Sequence, residues 1–141
     1  MTIPVNRFPL FLFLLLFACR DTPQQVLPDL EPFVDISIVV TNIQYQDLQI
    51  DGGYTYLEGG RRGILVYRQN AGTYLAFDRI CTFRPLDTCE RISVHGSRLF
   101  LIDTCCSSQF GFDGRPTSGP ASFPLRRYNT QLSGNLLRIR N

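Results

Sequence analysis

The sequence predicts an all-β domain, either an antiparallel sandwich or a small barrel. Three observations support this prediction. The chain has 141 residues, a length that suits one domain and hardly two. Short β-like runs follow one another, and each is bounded by residues typical of turns. Beyond an N-terminal apolar stretch, no segment keeps a helical period over three turns.

The first element is that apolar stretch, residues 8–18, which follows a single charge at Arg7. It is too short for a stable bilayer-spanning helix and is typical of a signal peptide, which we assign to residues 1–18. The stretch ends in the letters LFAC, which resemble the lipobox of bacterial lipoproteins. This resemblance implies that Cys19 carries a lipid that anchors the protein to a membrane. Ordinary secretion, with Cys19 as a spare thiol, is the alternative.

A tether over residues 19–32 comes next, because residues 20–32 hold three prolines and no sustained apolar period. The folded domain is expected over residues 33–141. With a signal peptide and a lipid anchor, this domain would lie in the cell envelope and face an oxidising compartment, either the periplasm or the cell surface.

Eight runs within the domain are predicted as short strands. They are Val34–Val40, Tyr54–Leu57, Gly63–Arg68, Thr73–Arg79, Arg91–Val94, Leu99–Asp103, Tyr128–Leu132 and Leu136–Arg140. The turns at residues 70–72 and 95–97 each join two of these runs at hairpin distance. Adjacent charges at Arg61 and Arg62 are expected at a solvated loop tip.

The small net charge of the chain argues against a nucleic-acid partner. The formal net charge is +2, and removal of residues 1–18, which hold one arginine and no acid, leaves +1. A nucleic-acid partner would require a basic stripe, so none is expected. The membrane, reached through the lipid, is the partner that the sequence indicates, and no protein or small-molecule partner can be named.

Common catalytic motifs are absent from the sequence. The chain has one histidine, His95, and neither a G-x-S-x-G nor an H-E-x-x-H motif. His95 lies in a tight-turn context, where a solvent-exposed structural role is expected. We therefore predict no catalytic residue, and a redox-active form would be an electron carrier rather than a hydrolase or transferase.

Two segments together carry a family resemblance. "AFDRICTF" is followed, after nineteen residues, by "DTCCSSQFGFDGRPTSGPASFPLRRY". These segments resemble the two cluster-binding loops of the Rieske iron–sulfur family, which read C-x-H and C-x-x-H-G-S-x-F, then a glycine turn and G-P-A-x-x-P-L-x-x-Y. The positions kept with the family's spacing are Ser108, Phe110, Gly114, Gly119, Pro120, Ala121, Pro124, Leu125 and Tyr128. The resemblance covers roughly residues 60–140 and implies a Rieske-like antiparallel β-sandwich whose two loops form a former cluster-binding subdomain.

The same resemblance assigns the four cluster-ligand positions. Cys106 lies thirteen residues before Gly119, the spacing of the family's second histidine. Cys81 then occupies the first cysteine position, Phe83 the first histidine position and Asp103 the second cysteine position. One of four ligands is therefore kept. An ordinary Rieske cluster, with one iron held by two imidazoles, is not expected, and Phe83 is expected to fill space that the inorganic core would occupy.

Four cysteines remain besides Cys19, in a chain expected in an oxidising compartment. Two disulfides among them allow three pairings. The family resemblance implies the choice, because members from respiratory complexes carry an extra disulfide between the loops with one partner directly before the second histidine. Cys105 stands there, which implies a bond from Cys105 to Cys89 and a second one from Cys81 to Cys106.

Two other interpretations of these residues stay open. A metal centre, with zinc or a Cys-ligated iron–sulfur cluster, could use ligands from the set Cys81, Cys89, Asp103, Cys105 and Cys106. The cysteines could also be free reactive thiols. Asp103 has a structural interpretation as well, as a carboxylate that accepts backbone amides within its loop.

Two functional hypotheses follow. The first is a membrane-anchored envelope lipoprotein whose Rieske-like domain has a remodelled iron–sulfur site, holds no cofactor and acts as a structural or binding module. The second is an electron-transfer protein with an atypical [2Fe–2S] or Cys-ligated centre in the same pocket.

Overall fold

Within residues 32–88 and 91–141, which the computed structural model describes, the chain forms ten β-strands and one short 3₁₀ helix. The strands are β1 (Asp35–Val39), β2 (Tyr54–Leu57), β3 (Ile64–Asn70), β4 (Thr73–Asp78), β5 (Ser93–Val94), β6 (Leu101–Ile102), β7 (Gln109–Phe110), β8 (Pro116–Ser118), β9 (Arg127–Ser133) and β10 (Leu136–Arg140). The 3₁₀ helix spans Ile43–Gln49. The predicted signal peptide, the tether up to residue 31 with Cys19, and Cys89 lie outside the described residues.

The described part of the chain contains no helix that is both long enough and apolar enough to cross a membrane.

The described strands form two sheets. The larger has the strand order β1-β10-β9-β4-β3-β2 and the smaller has the order β5-β6-β7-β8. Each of their pairings is antiparallel. The predicted turns at residues 70–72 and 95–97 connect β3 to β4 and β5 to β6, which pair as hairpins. The all-β prediction is therefore confirmed.

Strand β3 lies between two hydrophobic cores. Ile64, Leu65 and Val66 are all fully buried, although successive side chains of a strand point to opposite faces. Ile64 and Val66 enter a first core with side chains of β1, β9 and β10, and Leu65 enters a second core on the other face. The second core joins the two sheets, and its other buried members are Leu75, Phe77, Cys81, Ile92, Leu101, Phe110, Ala121 and Leu125.

The observed strands match the eight predicted runs, with shifts at their ends. β2 and β10 have the predicted bounds, whereas β5 and β6 shrink to two residues each. β7, β8 and the 3₁₀ helix were not predicted.

Three connections meet beside the second core. The first loop, residues 79–92, joins β4 to β5. The second loop, residues 103–108, joins β6 to β7, and the proline loop, residues 119–126, joins β8 to β9. These connections contain the residues that the sequence analysis identifies as site candidates.

Candidate functional site

Hydrogen bonds hold the proline loop against the other two loops. Thr82 Oγ1 in the first loop donates to the Phe123 carbonyl at 2.8 Å, and the Ala121 amide donates to Ser108 Oγ in the second loop at 3.1 Å. Gly119 has φ +87°, and a Cβ there would lie 2.6 Å from Ser108 Cα. Only glycine allows this approach, so the Gly-Pro-Ala motif positions the loops whether or not a cluster is present.

The buried carboxylate of Asp103 shapes the second loop. Its amide donates to the Ser108 carbonyl at 2.9 Å, which closes the loop. Its Oδ1 accepts the amides of Cys105 at 2.8 Å and Cys106 at 3.3 Å. The prediction that Asp103 accepts backbone amides is confirmed. These bonds fix the carboxylate beside the two thiols described next.

Cys81 and Cys106 form a thiol pair between the first and second loops. Their Sγ atoms are 3.4 Å apart, and Cys106 Sγ donates to Ser108 Oγ at 3.0 Å. A disulfide requires about 2.05 Å between sulfurs, and both cysteines are free. The Cys81–Cys106 disulfide expected from the sequence is therefore not formed in this structure, although the two residues are in contact.

The environment of Cys81 favours its protonated form. Burial raises the pKa of the Cys81 thiol to about 12, and its contacts with Cys106 and Asp103 act in the same direction. A backbone hydrogen bond from Phe83 opposes this shift. Because the thiolate is the nucleophile, Cys81 does not fit a free reactive thiol at neutral pH.

Cys105 differs from the other two described cysteines. It is exposed to solvent and takes part in a disulfide. Its partner lies outside the described residues, because Cys81 and Cys106 are both free. Cys89 also lies outside them, so the Cys89–Cys105 pairing stays a prediction. A disulfide sulfur is not a thiolate ligand, so this state of Cys105 does not fit a role in metal binding.

Three of the five predicted metal-site residues come together. One ligand atom each from Cys81, Asp103 and Cys106 lies within 4.8 Å of the other two. Cys81 and Asp103 are buried, and Cys106 is half-buried. Two sulfurs and a carboxylate oxygen at this spacing can hold a metal ion of zinc type.

The thiol pair lies at a cavity of about 270 Å³. Its lining residues are Arg62, Ile80, Cys81, Phe83, Arg84, Asp87, Asp103, Cys105, Cys106 and Pro120. Phe83 packs against the second core, and the Arg84 guanidinium lies 5.4 Å from its ring centroid. Phe83 therefore forms part of the cavity wall, and its expected role of filling the space of the inorganic core stays a prediction.

The chain's one histidine is not part of this cavity lining. His95 stacks on Phe100 with ring centroids 4.3 Å apart, and its Nδ1 lies 2.9 Å from Ser97 Oγ. It is half-buried rather than fully exposed, and its structural role in the β5–β6 hairpin is confirmed. The residues at the cavity do not fit an ordinary Rieske cluster, because that cluster requires two imidazole ligands.

Arg62 at the cavity wall was not predicted from the sequence. Arg61 and Arg62 are half-buried rather than at a solvated tip. The Arg61 amide donates to Asp78 Oδ2 at 2.8 Å, and the Arg62 guanidinium donates to the Asp87 carbonyl. An Arg-Arg pair between glycines carries no signal that distinguishes this placement from a solvated turn.

A second buried carboxylate, Asp78, explains the tyrosine of the proline-loop motif. Tyr128 Oη donates to Asp78 Oδ2 at 2.7 Å, and both residues are buried. Burial and this bond raise the pKa of the Tyr128 hydroxyl. A Cβ at Gly60, where φ is +60°, would lie 2.5 Å from each of these oxygens. The tyrosine thus links β9 to the end of β4 and to the turn before β3.

The fold is similar to that of a solved structure, the plasma-membrane Rieske protein PetC3 of the cyanobacterium Synechocystis PCC 6803. The similarity has a TM-score of 0.56 at 19% sequence identity and covers 77% of this chain and 99% of that chain. No protein-family profile matches the sequence, and no curated protein matches it. At this identity the similarity shows the fold alone. The chain therefore has an all-β Rieske-like fold.

Proposed function

We propose that this chain is a lipid-anchored cell-envelope protein whose Rieske-like domain has a remodelled iron–sulfur site and serves as a structural or binding module. One observation carries the proposal. The positions that correspond to the family's two histidines hold Phe83 and Cys106, while His95 stacks on Phe100 within the β5–β6 hairpin.

In a Rieske cluster the second iron is the one held by two histidine imidazoles. Two neutral imidazoles raise the potential of a Rieske centre far above that of an all-cysteine cluster. A phenyl ring at position 83 offers no ligand atom, and position 106 offers a thiol. Without imidazoles, the loops lose the chemistry that distinguishes a Rieske electron carrier and keep a cavity bounded by thiols and a carboxylate.

A second candidate is an electron-transfer protein with an atypical Cys-ligated cluster. The grouping of Cys81, Asp103 and Cys106 favours it. A [2Fe–2S] cluster takes four protein ligands, and this group, found among the described residues, supplies three. We therefore place the cluster-free module first.

An absorbance spectrum of protein purified from its native host separates the two candidates. The proposal expects no band between roughly 320 and 600 nm, where thiolate-to-iron charge transfer absorbs. The matched control is a Cys81→Ser, Cys106→Ser double variant, which should have the same spectrum. Bands in the native protein that this variant lacks would support the second candidate and contradict the first.

The lipid anchor is a separate part of the proposal and rests on the LFAC motif. Labelling with a radioactive fatty acid in a bacterial host should label the wild-type chain, and the protein should sediment with membranes. Cys19→Ser should lose both properties, whereas the neighbouring Asp21→Asn should keep them. A labelled Cys19→Ser chain, or an unlabelled wild-type chain, would contradict anchoring through Cys19.

A further inference from the structure

We propose that Cys81, Cys106 and Asp103 bind a single Zn²⁺ ion, with a fourth coordination position open to the cavity between the loops. This inference rests on the proposed function, because it requires that the pocket holds no iron–sulfur cluster. It names a ligand, zinc, for the pocket of a domain that the proposed function describes only as a structural or binding module.

The distances suit one tetrahedral ion. Zinc binds sulfur at about 2.3 Å and carboxylate oxygen at about 2.0–2.2 Å, which places two sulfur ligands about 3.8 Å apart. The two Sγ atoms are 3.4 Å apart, and the carboxylate oxygen lies within 4.8 Å of both. Shifts on the order of 1 Å or less in side-chain position would therefore form the site.

The ligands are already held by the surrounding structure. Asp103 Oδ1 accepts two backbone amides, and a carboxylate has about four lone-pair positions, so others stay available. Cys106 Sγ contacts Ser108 Oγ, which also accepts the Ala121 amide. Outer contacts of this kind orient metal ligands and strengthen binding.

The donor set selects the metal. Calcium and magnesium take oxygen ligands, so two sulfurs exclude them. Copper(I) prefers sulfur alone, and the carboxylate weakens that match. Two thiolates and one carboxylate suit zinc, which accepts all three ligand types. Three protein ligands with one open position are the arrangement of zinc sites that bind water or a small molecule.

The first test measures zinc binding to the full-length protein, stripped with a chelator, kept in detergent and not reduced, so that the disulfide of Cys105 stays intact. Titration of zinc chloride against a chromophoric zinc chelator should reveal one tight site per chain. Substituting cobalt(II) should produce thiolate-to-cobalt charge-transfer bands. A chain that binds no zinc in competition with the chelator would overturn the inference.

Variants identify the ligands. Cys106→Ser and Asp103→Asn should each weaken zinc binding by at least about tenfold. Cys106→His should restore binding, because imidazole is also a zinc ligand. The matched control is Asp113→Asn, since Asp113 is exposed and its Oδ1 also accepts a backbone amide, from Arg115 at 3.0 Å. Equal weakening by Asp113→Asn, or none by Asp103→Asn, would contradict the site.

Measurements of folding distinguish a lost zinc site from a misfolded variant. The iron, sulfide and zinc content of the protein distinguishes failure of this inference from failure of the proposed function. Far-UV circular dichroism and a urea midpoint for each variant show whether a loss of zinc binding reflects a loss of fold. If a serine or asparagine variant is unfolded, zinc binding by the folded Cys106→His variant supports the site, and its failure to bind zinc contradicts it. Native protein that contains iron and inorganic sulfide would overturn the proposed function together with this inference. Colourless native protein that binds no zinc would overturn this inference alone.

Discussion

Ser108 is the residue through which the second loop and the proline loop are joined. Its side chain is fully buried, and its Oγ contacts both the Cys106 thiol and the Ala121 amide. A buried donor that loses its acceptor costs more than an ordinary hydrogen bond contributes, because it is desolvated without compensation. Ser108 therefore affects stability and the position of one thiol at once.

Replacing Ser108 by alanine should destabilise the fold by about 1–3 kcal/mol, since the Ala121 amide would lose its partner. Urea unfolding followed by circular dichroism measures this change. Ser118→Ala, in the exposed part of β8, is the matched control and should change stability by less than about 0.5 kcal/mol. Equal effects of the two substitutions would contradict the role of Ser108.

The raised pKa of the Cys81 thiol predicts that the fold loses stability at alkaline pH. The pKa of its thiol is raised from 9.0 to about 12 in the fold, chiefly by burial. The folded state therefore holds this proton more tightly than the unfolded chain does. The contribution is complete below pH 9 and is lost as the pH rises towards 12.

The measurement is the free energy of unfolding in urea at a series of alkaline pH values, with a chelator present. It should fall less steeply for Cys81→Ser than for the wild type. Burial raises the pKa of Tyr128 too, so the difference between the two proteins, rather than the wild-type slope, isolates Cys81. Parallel curves would contradict the assigned environment of the thiol.

At the residue scale, spacing in the sequence selected three residues that the fold brings together, Cys81, Asp103 and Cys106. The intervals before Gly119 identified Cys106 and Asp103, because loop geometry constrains those intervals. Free thiols at Cys81 and Cys106 were only an alternative to the expected disulfide, since a sequence does not contain the 3.4 Å between their sulfurs. Arg62 was also missed, because its contact with the first loop depends on tertiary packing.

At the scale of elements, the turn between β7 and β8 fastens the small sheet to the large one. Gly114 in this turn has φ +82°, and a Cβ there would lie 2.6 Å from Cε1 of Phe77 in β4. Its carbonyl also accepts the Leu125 amide at 2.8 Å. The close approach of the turn to the Phe77 ring thus requires glycine in a left-handed conformation.

Gly114→Ala should destabilise the protein by roughly 2–4 kcal/mol, from backbone strain and overpacking against Phe77. Thermal and urea unfolding measure the effect. Gly72→Ala is the matched control, because a Cβ at position 72 would meet open space within 4 Å and the φ of Gly72 is not in the left-handed range. A similar loss at both positions would show that the Phe77 contact does not matter.

Eight of the ten described strands overlap predicted runs, and these include β5 and β6 with two residues each. β7 and β8 were not predicted. β2 and β10 have the predicted bounds because apolar residues alternate between recognisable turns. β7 and β8 have two and three residues, which are too few to show an alternating pattern of apolar and polar residues. Their pairing depends on the glycine turn between them and on the packing of Phe110 in the second core. That packing is a tertiary contact, which the sequence does not show.

At the scale of the whole molecule, the second core connects the two sheets of the Rieske-like fold beside the three loops. It joins both sheets and includes Cys81 and Leu125 from two of the three loops. The loops are further held by the Ser108 and Thr82 hydrogen bonds. The motif predicted this fold, whereas the contact between the Cys81 and Cys106 thiols required the structure.

At this scale we predict which cysteines of the protein are free thiols and which form a disulfide. Alkylation in denaturant without reduction, after removal of zinc, should label Cys81 and Cys106 but not Cys105, because the first two are free and the third is in a disulfide. Peptide mapping by mass spectrometry should then find Cys105 linked to Cys89. A peptide that links Cys81 to Cys106 would contradict the free thiol pair and support the disulfide expected from the sequence.

The most direct test of the central claim is an assay of iron and acid-labile sulfide in protein purified from its native host. The account predicts no stoichiometric sulfide, because the cavity offers two thiols and a carboxylate but no imidazole. Two irons and two sulfides per chain, the content of a [2Fe–2S] cluster, would contradict it.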